Sequence, residues 1–112
     1  MNIEITGRHM EISNSLREYT EKKFKKIDKY FHHFADIHII MYIEKFDHIV
    51  EAIINGNGGK FYAVEKANDM YSSIDKLIHK VEKQLVRYKE KHFDHKAISV
   101  DKIGPEEEAI EY

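Results

Sequence analysis

The chain has 112 residues, 42% of them hydrophobic and 34% charged, with no cysteine and a formal net charge of −2. That is the length of one domain with apolar content for one core, and the missing thiols exclude a disulfide scaffold, a cysteine nucleophile and cysteine-ligated zinc. The longest apolar run, Ile37 to Ile43, is interrupted by His38 and falls far short of a membrane span, while the opening MNIEITGR has no secretion-signal pattern.

Ile3 and Ile5 alternate with polar residues ahead of Gly7, which predicts a short first strand. Ser13 stands at an N-cap position. Leu16, Tyr19, Thr20, Phe24, Ile27 and Phe31 then recur at helical spacing, predicting an amphipathic helix from Asn14 to about Phe31. ADIHIIMYIEKF, rich in Ile with Tyr and Phe, reads as a long second strand, and HIVEAIING as a third. NGNGG, residues 55–59, supplies residues that tolerate positive φ and reads as a hairpin loop into a fourth strand, KFYAVEKA. Asp69, or Asn68 beside it, is placed to cap a second helix that runs to about His92. The order is β-α-β-β-β-α, an α+β fold. Its first two strands are parallel through a right-handed crossover, its last three form an antiparallel meander, and two helices cover one face of a four-stranded sheet. Residues 1–96 form the expected domain. Residues 97–112, containing the only proline, Pro105, form an acidic tail expected to be flexible.

The net charge hides a partition. Asp101 to Tyr112 carry five acids against one base, a net of −4, which leaves residues 1–100 at +2 of the total −2. On a wheel of ~100° per residue the apolar side chains of the second helix occupy roughly 140–240°, and the five cations Lys76, Lys80, Lys83, Arg87 and Lys91 fall within roughly 20–100°. Asp75 and Glu82 lie on the other flank. The first helix repeats the sorting: Lys22, Lys26 and Lys29 cluster on one edge with Lys25 just beyond, opposite Glu21 and Asp28. Pairs such as Glu18–Lys22 and Glu21–Lys25 have the favourable i, i+4 order of an ordinary solvated helix. A helix built for internal pairing alone would mix its signs around the wheel, so the separation points to a polyanionic partner held through phosphate contacts. Side by side on one sheet face, the two helices are expected to join their outer surfaces into one continuous basic plate.

Two segments carry a family resemblance. The opening I-T-G-R-H, the L-R-E-Y-x-E-K-K of the first helix, and D-M-Y-x-x-I-D-K-L with K-x-x-x-Q-L-x-x-Y-K of the second make the stretch from Met1 to about His92 similar to the ribosome hibernation-promoting factor family, which includes the ribosome-associated inhibitor proteins. The resemblance implies a fold like that of double-stranded-RNA-binding domains with an added first strand. It also implies a cytoplasmic, non-enzymatic translation inhibitor that needs no cofactor. Such a protein would bind the small ribosomal subunit in the decoding channel, over the messenger and the A- and P-site transfer RNA positions, and stabilise idle ribosomes under stress or in stationary phase. Its implied partners are ribosomal RNA, intact ribosomes and ribosome dimers, with no role for DNA or a membrane. The implied RNA-binding residues are Lys22, Lys23, Lys26 and Lys29 in the first helix, Lys76, Lys80, Lys83, Arg87 and Lys91 in the second, and Arg8 at the end of the first strand. The PEEE stretch favours a likeness to short members whose acidic tail opposes ribosome dimerisation, with the start of a linker in a longer form as the alternative. The competing function is a protein-interaction module that uses the basic helices and acidic tail on a partner other than the ribosome.

Other groupings are weaker. His32, His33, His92 and His95, with Asp36 and Asp94, invite a metal site, but histidines near helix C-termini are favoured there by the dipole alone. NGNGGK lacks the spacing of a phosphate-binding loop. Tyr42 and Tyr62 are candidates for base stacking on the open sheet face, against the commoner reading as cross-strand packing. Ser72–Ser73 and Glu106–Glu108 have no catalytic context.

Overall fold

Ile-rich segments with period-two alternation form strands because their branched side chains pack on a pleated surface. The computed structural model of the chain describes residues 1–31, 35–93 and 110–111. Its elements are β1 (Asn2–Gly7), α1 (Asn14–Lys25), a 3₁₀ turn (Asp28–Tyr30), β2 (Asp36–Glu44), β3 (Asp47–Gly56), β4 (Gly59–Ala67), α2 (Met70–Phe93) and β5 (Ile110–Glu111). The sheet order is β1-β2-β3-β4-β5. β1 and β2 are parallel, as a crossover through α1 requires, and the remaining pairs are antiparallel. The expected order and helix-on-sheet architecture hold over the first four strands.

Alternation decides the layers. Ile5, Ile37, Ile39, Met41, Val50, Ala52, Ile54, Phe61 and Ala63 point to one side and are buried. They meet Leu16, Phe24 and Ile27 from the α1 side and Ile74, Leu77, Val81, Leu85 and Tyr88 from α2 in one core. Each large side chain buried this way contributes about 1.5–3 kcal/mol. A one-residue slip in register would turn the whole set to water, so the register is firmly specified.

Local chemistry starts both helices. Ser13 Oγ accepts from the Leu16 amide at 3.1 Å. Asp69 Oδ1 accepts from the Ser72 amide at 2.9 Å and its Oδ2 from the Ser72 hydroxyl at 2.9 Å. The Ser72 amide holds the Asp69 carboxyl below the usual carboxylate range.

Two expectations need correction. α1 ends at Lys25 rather than near Phe31: the Lys26 and Ile27 amides bond back to Lys23 and Phe24, and the chain tightens into the 3₁₀ turn. The tightening keeps Phe24 and Ile27 fully buried while sending Tyr30 toward α2 and Phe31 against Gly56, where a Cβ would lie 2.8 Å from the Phe31 ring. Next, Ile110 and Glu111, within the stretch expected to be a flexible tail, pair with Phe61 and Lys60 as a fifth, two-residue strand. Residues 97–109 and Tyr112 of that tail lie outside the described residues. Tyr71 is exposed at 41% and stacks edge-on against Tyr19, at the margin of the core.

The hairpin predicted over residues 55–59 forms, and the strands pair far enough into it to leave a two-residue turn. Asn57 and Gly58 have φ of 54° and 75° between the paired Gly56 and Gly59, and glycine carries this backbone at no steric cost. Asn57 Nδ2 donates to the Tyr30 carbonyl and its own carbonyl accepts from the Tyr88 hydroxyl, each at 2.7 Å, so the 3₁₀ turn and α2 clamp the loop.

Candidate nucleic-acid interface

Around α2 the buried stripe divides two flanks of opposite charge. The acidic flank is the seam with α1. Tyr19 donates its hydroxyl to Asp75 at 2.6 Å, Tyr30 donates to Glu82 at 2.7 Å, and Lys23 Nζ lies 3.5 Å from Asp75. Both phenols are held above the ordinary tyrosine pKa, first by donation to their carboxylates, and the Asp75 carboxylate raises that of Lys23. Glu82 finds a neutral donor there, and Asp75 a neutral donor and an ammonium.

The basic flank runs along the outer edge of β4. Lys76 Nζ donates to the Lys66 carbonyl at 2.8 Å, Lys80 Nζ to the Val64 carbonyl at 3.4 Å, and Gln84 Nε2 to the Tyr62 carbonyl at 3.2 Å. The spacing explains the ladder. Four helical residues rise ~6 Å, and two strand residues rise ~6.6 Å, so every fourth side chain of α2 meets every second carbonyl of β4. Glu65 lies between the ammonium groups, 3.9 Å from Lys76 and 3.8 Å from Lys80. Three side chains thus satisfy backbone acceptors that an unpaired strand edge would leave to solvent or to another chain.

The sequence-predicted cations therefore separate into groups. Lys83 and Lys91 are exposed and Arg87 is half-buried on the outer side of α2. A shallow groove beside β4 is lined by Glu65, Asp75, Lys76, His79, Lys80, Lys83, Gln84 and Arg87. On α1, Lys22 and Lys26 are exposed, Lys23 is drawn into the seam, and Lys29 Nζ lies 5.3 Å from the Tyr30 ring centroid. Asp75 and Glu82 lie between the two basic edges, so the edges do not fuse into one plate. Arg8 belongs to neither. Its guanidinium sits 4.4 Å above the Tyr42 ring, which faces away from the helices. Sequence reasoning missed Gln84, Tyr19 and Tyr30. Gln84 continues the i, i+4 row of Lys76 and Lys80 but carries no charge to draw attention.

Of the other groupings, Ser73 is buried with its hydroxyl donating to the His48 and Asp69 carbonyls, which is structural use. Among the described residues no group of three His, Asp or Glu side chains is placed to hold a metal. His32, His33, Asp94 and His95, and the side chain of His92, lie outside the described residues. No described helix is long and apolar enough to cross a membrane.

Comparison with known proteins assigns this arrangement. Residues 3–92 match the family described as Sigma 54 modulation protein / S30EA ribosomal protein. The chain belongs to that family. It is 39% identical over 95 residues to the ribosome hibernation promoting factor of Salmonella typhimurium, spanning 85% of this chain and 100% of that one. The Escherichia coli protein of the same name is 37% identical over the same shares. Among solved structures, a ribosomal subunit interface protein from Coxiella burnetii superposes with a TM-score of 0.71 at 39% identity, covering 80% of this chain and 98% of that one. The N-terminal domain of Protein Y from Thermus thermophilus gives 0.74 at 28% identity, covering 79% and 99%. The matched range takes in β1 to β4 and nearly all of α2, and with them this chain's β4-edge ladder and helix seam.

Proposed function

We propose that this chain is a cytoplasmic, non-enzymatic translation inhibitor. It binds the small ribosomal subunit in the decoding channel, where it covers the messenger and the A- and P-site positions and stabilises hibernating ribosomes. Family membership supports the ribosome as partner, and relatives named ribosome hibernation promoting factors support the physiological role. The observation that carries the binding mode is the sorting of α2. Its apolar stripe and acidic flank are engaged inside the fold, which turns Lys83, Arg87 and Lys91 outward along one edge. Structured RNA is recognised largely through shape, phosphates and 2′-hydroxyls, which a rigid sheet carrying spaced cations can match without reading bases. Blocking a channel needs bulk and affinity rather than chemistry.

The test is co-sedimentation with purified small subunits and intact ribosomes across a salt series. Wild-type binding should weaken as salt rises. The double variant Lys83→Glu, Arg87→Glu should lose binding while keeping its thermal stability, because Lys83 is exposed and Arg87 only half-buried. The corresponding neutral double variant should lower the slope of log K against log salt by roughly 1.5, the value for two lost phosphate contacts. Ribosome binding as tight as wild type in the charge-reversed protein would overturn the α2 mechanism.

A further inference from the structure

The face of the sheet opposite the helices is chemically unlike the helical side. At its centre Ile40, Tyr42, Ile49, Ile53, Tyr62 and Val64 adjoin across three registered strands, β2 to β4, and no described element covers them. Tyr62 remains 38% exposed, whereas Ile49 is 8% exposed through packing with its neighbours. The charges on this face favour acid. Strand alternation places Glu4, Asp36, Glu44, Asp47 and Glu51 here, against Lys60, Lys66 and Arg8.

Two of those cations are already engaged. Lys66 Nζ lies 3.6 Å from Asp47, and Arg8 covers the Tyr42 ring whose hydroxyl donates to Glu51 at 2.7 Å. A surface that stacks single-stranded bases presents open aromatic faces in a cationic groove. Here one of the two aromatic faces is capped by Arg8, and the surrounding carboxylates repel phosphate.

We propose that the open sheet face docks a protein surface, apolar at its centre and cationic at its rim, while the helical side meets RNA. This rests on the ribosome reading above. The occupant is then a basic ribosomal protein surface, and the domain is held between RNA on one side and protein on the other. Tyr62 and Ile53 supply the apolar contact; Glu4, Asp36 and Glu44 supply the acidic rim. Complementary charge of this kind fixes register and rejects wrong partners more than it adds affinity.

The experiment uses the full chain with purified ribosomes. A photo-crosslinking benzoylphenylalanine replaces Tyr62 in one variant and Lys83 in another. The Tyr62 position is expected to crosslink to ribosomal protein and the Lys83 position to ribosomal RNA. Crosslinking of the Tyr62 position to RNA, or to nothing while the Lys83 position reacts, overturns the proposal and leaves the ribosome reading standing. Failure of the unmodified chain to bind ribosomes overturns both. A second variant tests the sign of the field. Thr6→Lys with Tyr62→Lys adds two cations at exposed positions. Against a cationic protein surface they should weaken ribosome binding about tenfold, with an unchanged thermal midpoint confirming the fold. Equal or tighter binding would show that the face meets phosphate and would overturn the proposal.

Discussion

On one flank of α2, Asp75 and Glu82 accept phenolic hydroxyls from Tyr19 and Tyr30 of the α1 side; on the other, Lys76, Lys80 and Gln84 donate to three carbonyls of β4. Both flanks are polar and both hold the helix in place, but they do so in opposite senses. The acidic flank closes a contact between elements already packed together. The basic flank guards an edge, and in doing so it sets the row whose later members, Lys83, Arg87 and Lys91, look outward. The same wheel position can therefore hold a backbone acceptor near the start of a helix and lie at the surface one or two turns later. Residue type alone does not separate the two uses.

The stripe between the flanks should produce the largest effect on stability. Leu85 is 1% exposed in the core. Leu85→Ala should cost about 2–5 kcal/mol through lost burial and the cavity left behind. Urea unfolding followed by circular dichroism measures it. Because both flanks depend on the same docking, the midpoint should fall as one transition; separate unfolding of the seam and the edge would break the comparison.

The two parts of the basic row can be pulled apart. Lys76→Met with Lys80→Met keeps most of the aliphatic stems and removes both donors to the β4 edge. It is expected to weaken ribosome binding far less than Lys83→Glu with Arg87→Glu, and to raise self-association at high concentration as the edge becomes available to a second strand. Analytical ultracentrifugation reads the second effect and co-sedimentation the first. Equal losses of ribosome binding in the two double variants would show that the row acts as one unit.

The seam should show itself in alkali. Its phenols titrate above the ordinary tyrosine value in the folded chain because their protons are shared with carboxylates. The folded state therefore holds these protons where the unfolded chain releases them. The stability they provide is complete below the ordinary tyrosine value, about 10, and is lost as pH rises through the raised folded values. Tyr19→Phe with Tyr30→Phe should lower the thermal midpoint near neutral pH and flatten its decline above pH ~10. Tyr42, Tyr62 and Lys23, whose values are also raised, contribute to the decline that remains.

The helix wheels made much of this legible. Leu77, Val81, Leu85 and Tyr88 are buried as their spacing requires, and Asp69 caps α2 as its position predicts. What could not be read depends on what lies beside each element. Nothing in the spacing of Ile27 to Phe31 signals that the helix should tighten, because the reasons are Gly56 in β3 and Glu82 in α2. Ile110–Glu111 is too short to show strand alternation and exists only because β4 offers an edge. The expected single plate of cations failed to form because wheel angles fix directions around one helix, not the order in which two helices and an edge strand lie side by side.

Gln84 gives the smallest and most discriminating effect. It is 3% exposed, its nitrogen donates to the Tyr62 carbonyl at 3.2 Å, and its buried Oε1 has no hydrogen-bond partner among the described residues. Gln84→Met keeps the length and volume of the side chain while removing both polar atoms. The lost hydrogen bond costs about 1 kcal/mol, and removing an unsatisfied buried acceptor returns about 1–3 kcal/mol. The Tyr62 carbonyl, on the β4 edge, can turn to water for part of what it loses. The net change in the urea midpoint should therefore be near zero, in contrast to Leu85→Ala one position away. A loss as large as that of Leu85→Ala would mean that the third rung of the β4 ladder, rather than the apolar stripe, fixes the C-terminal half of α2.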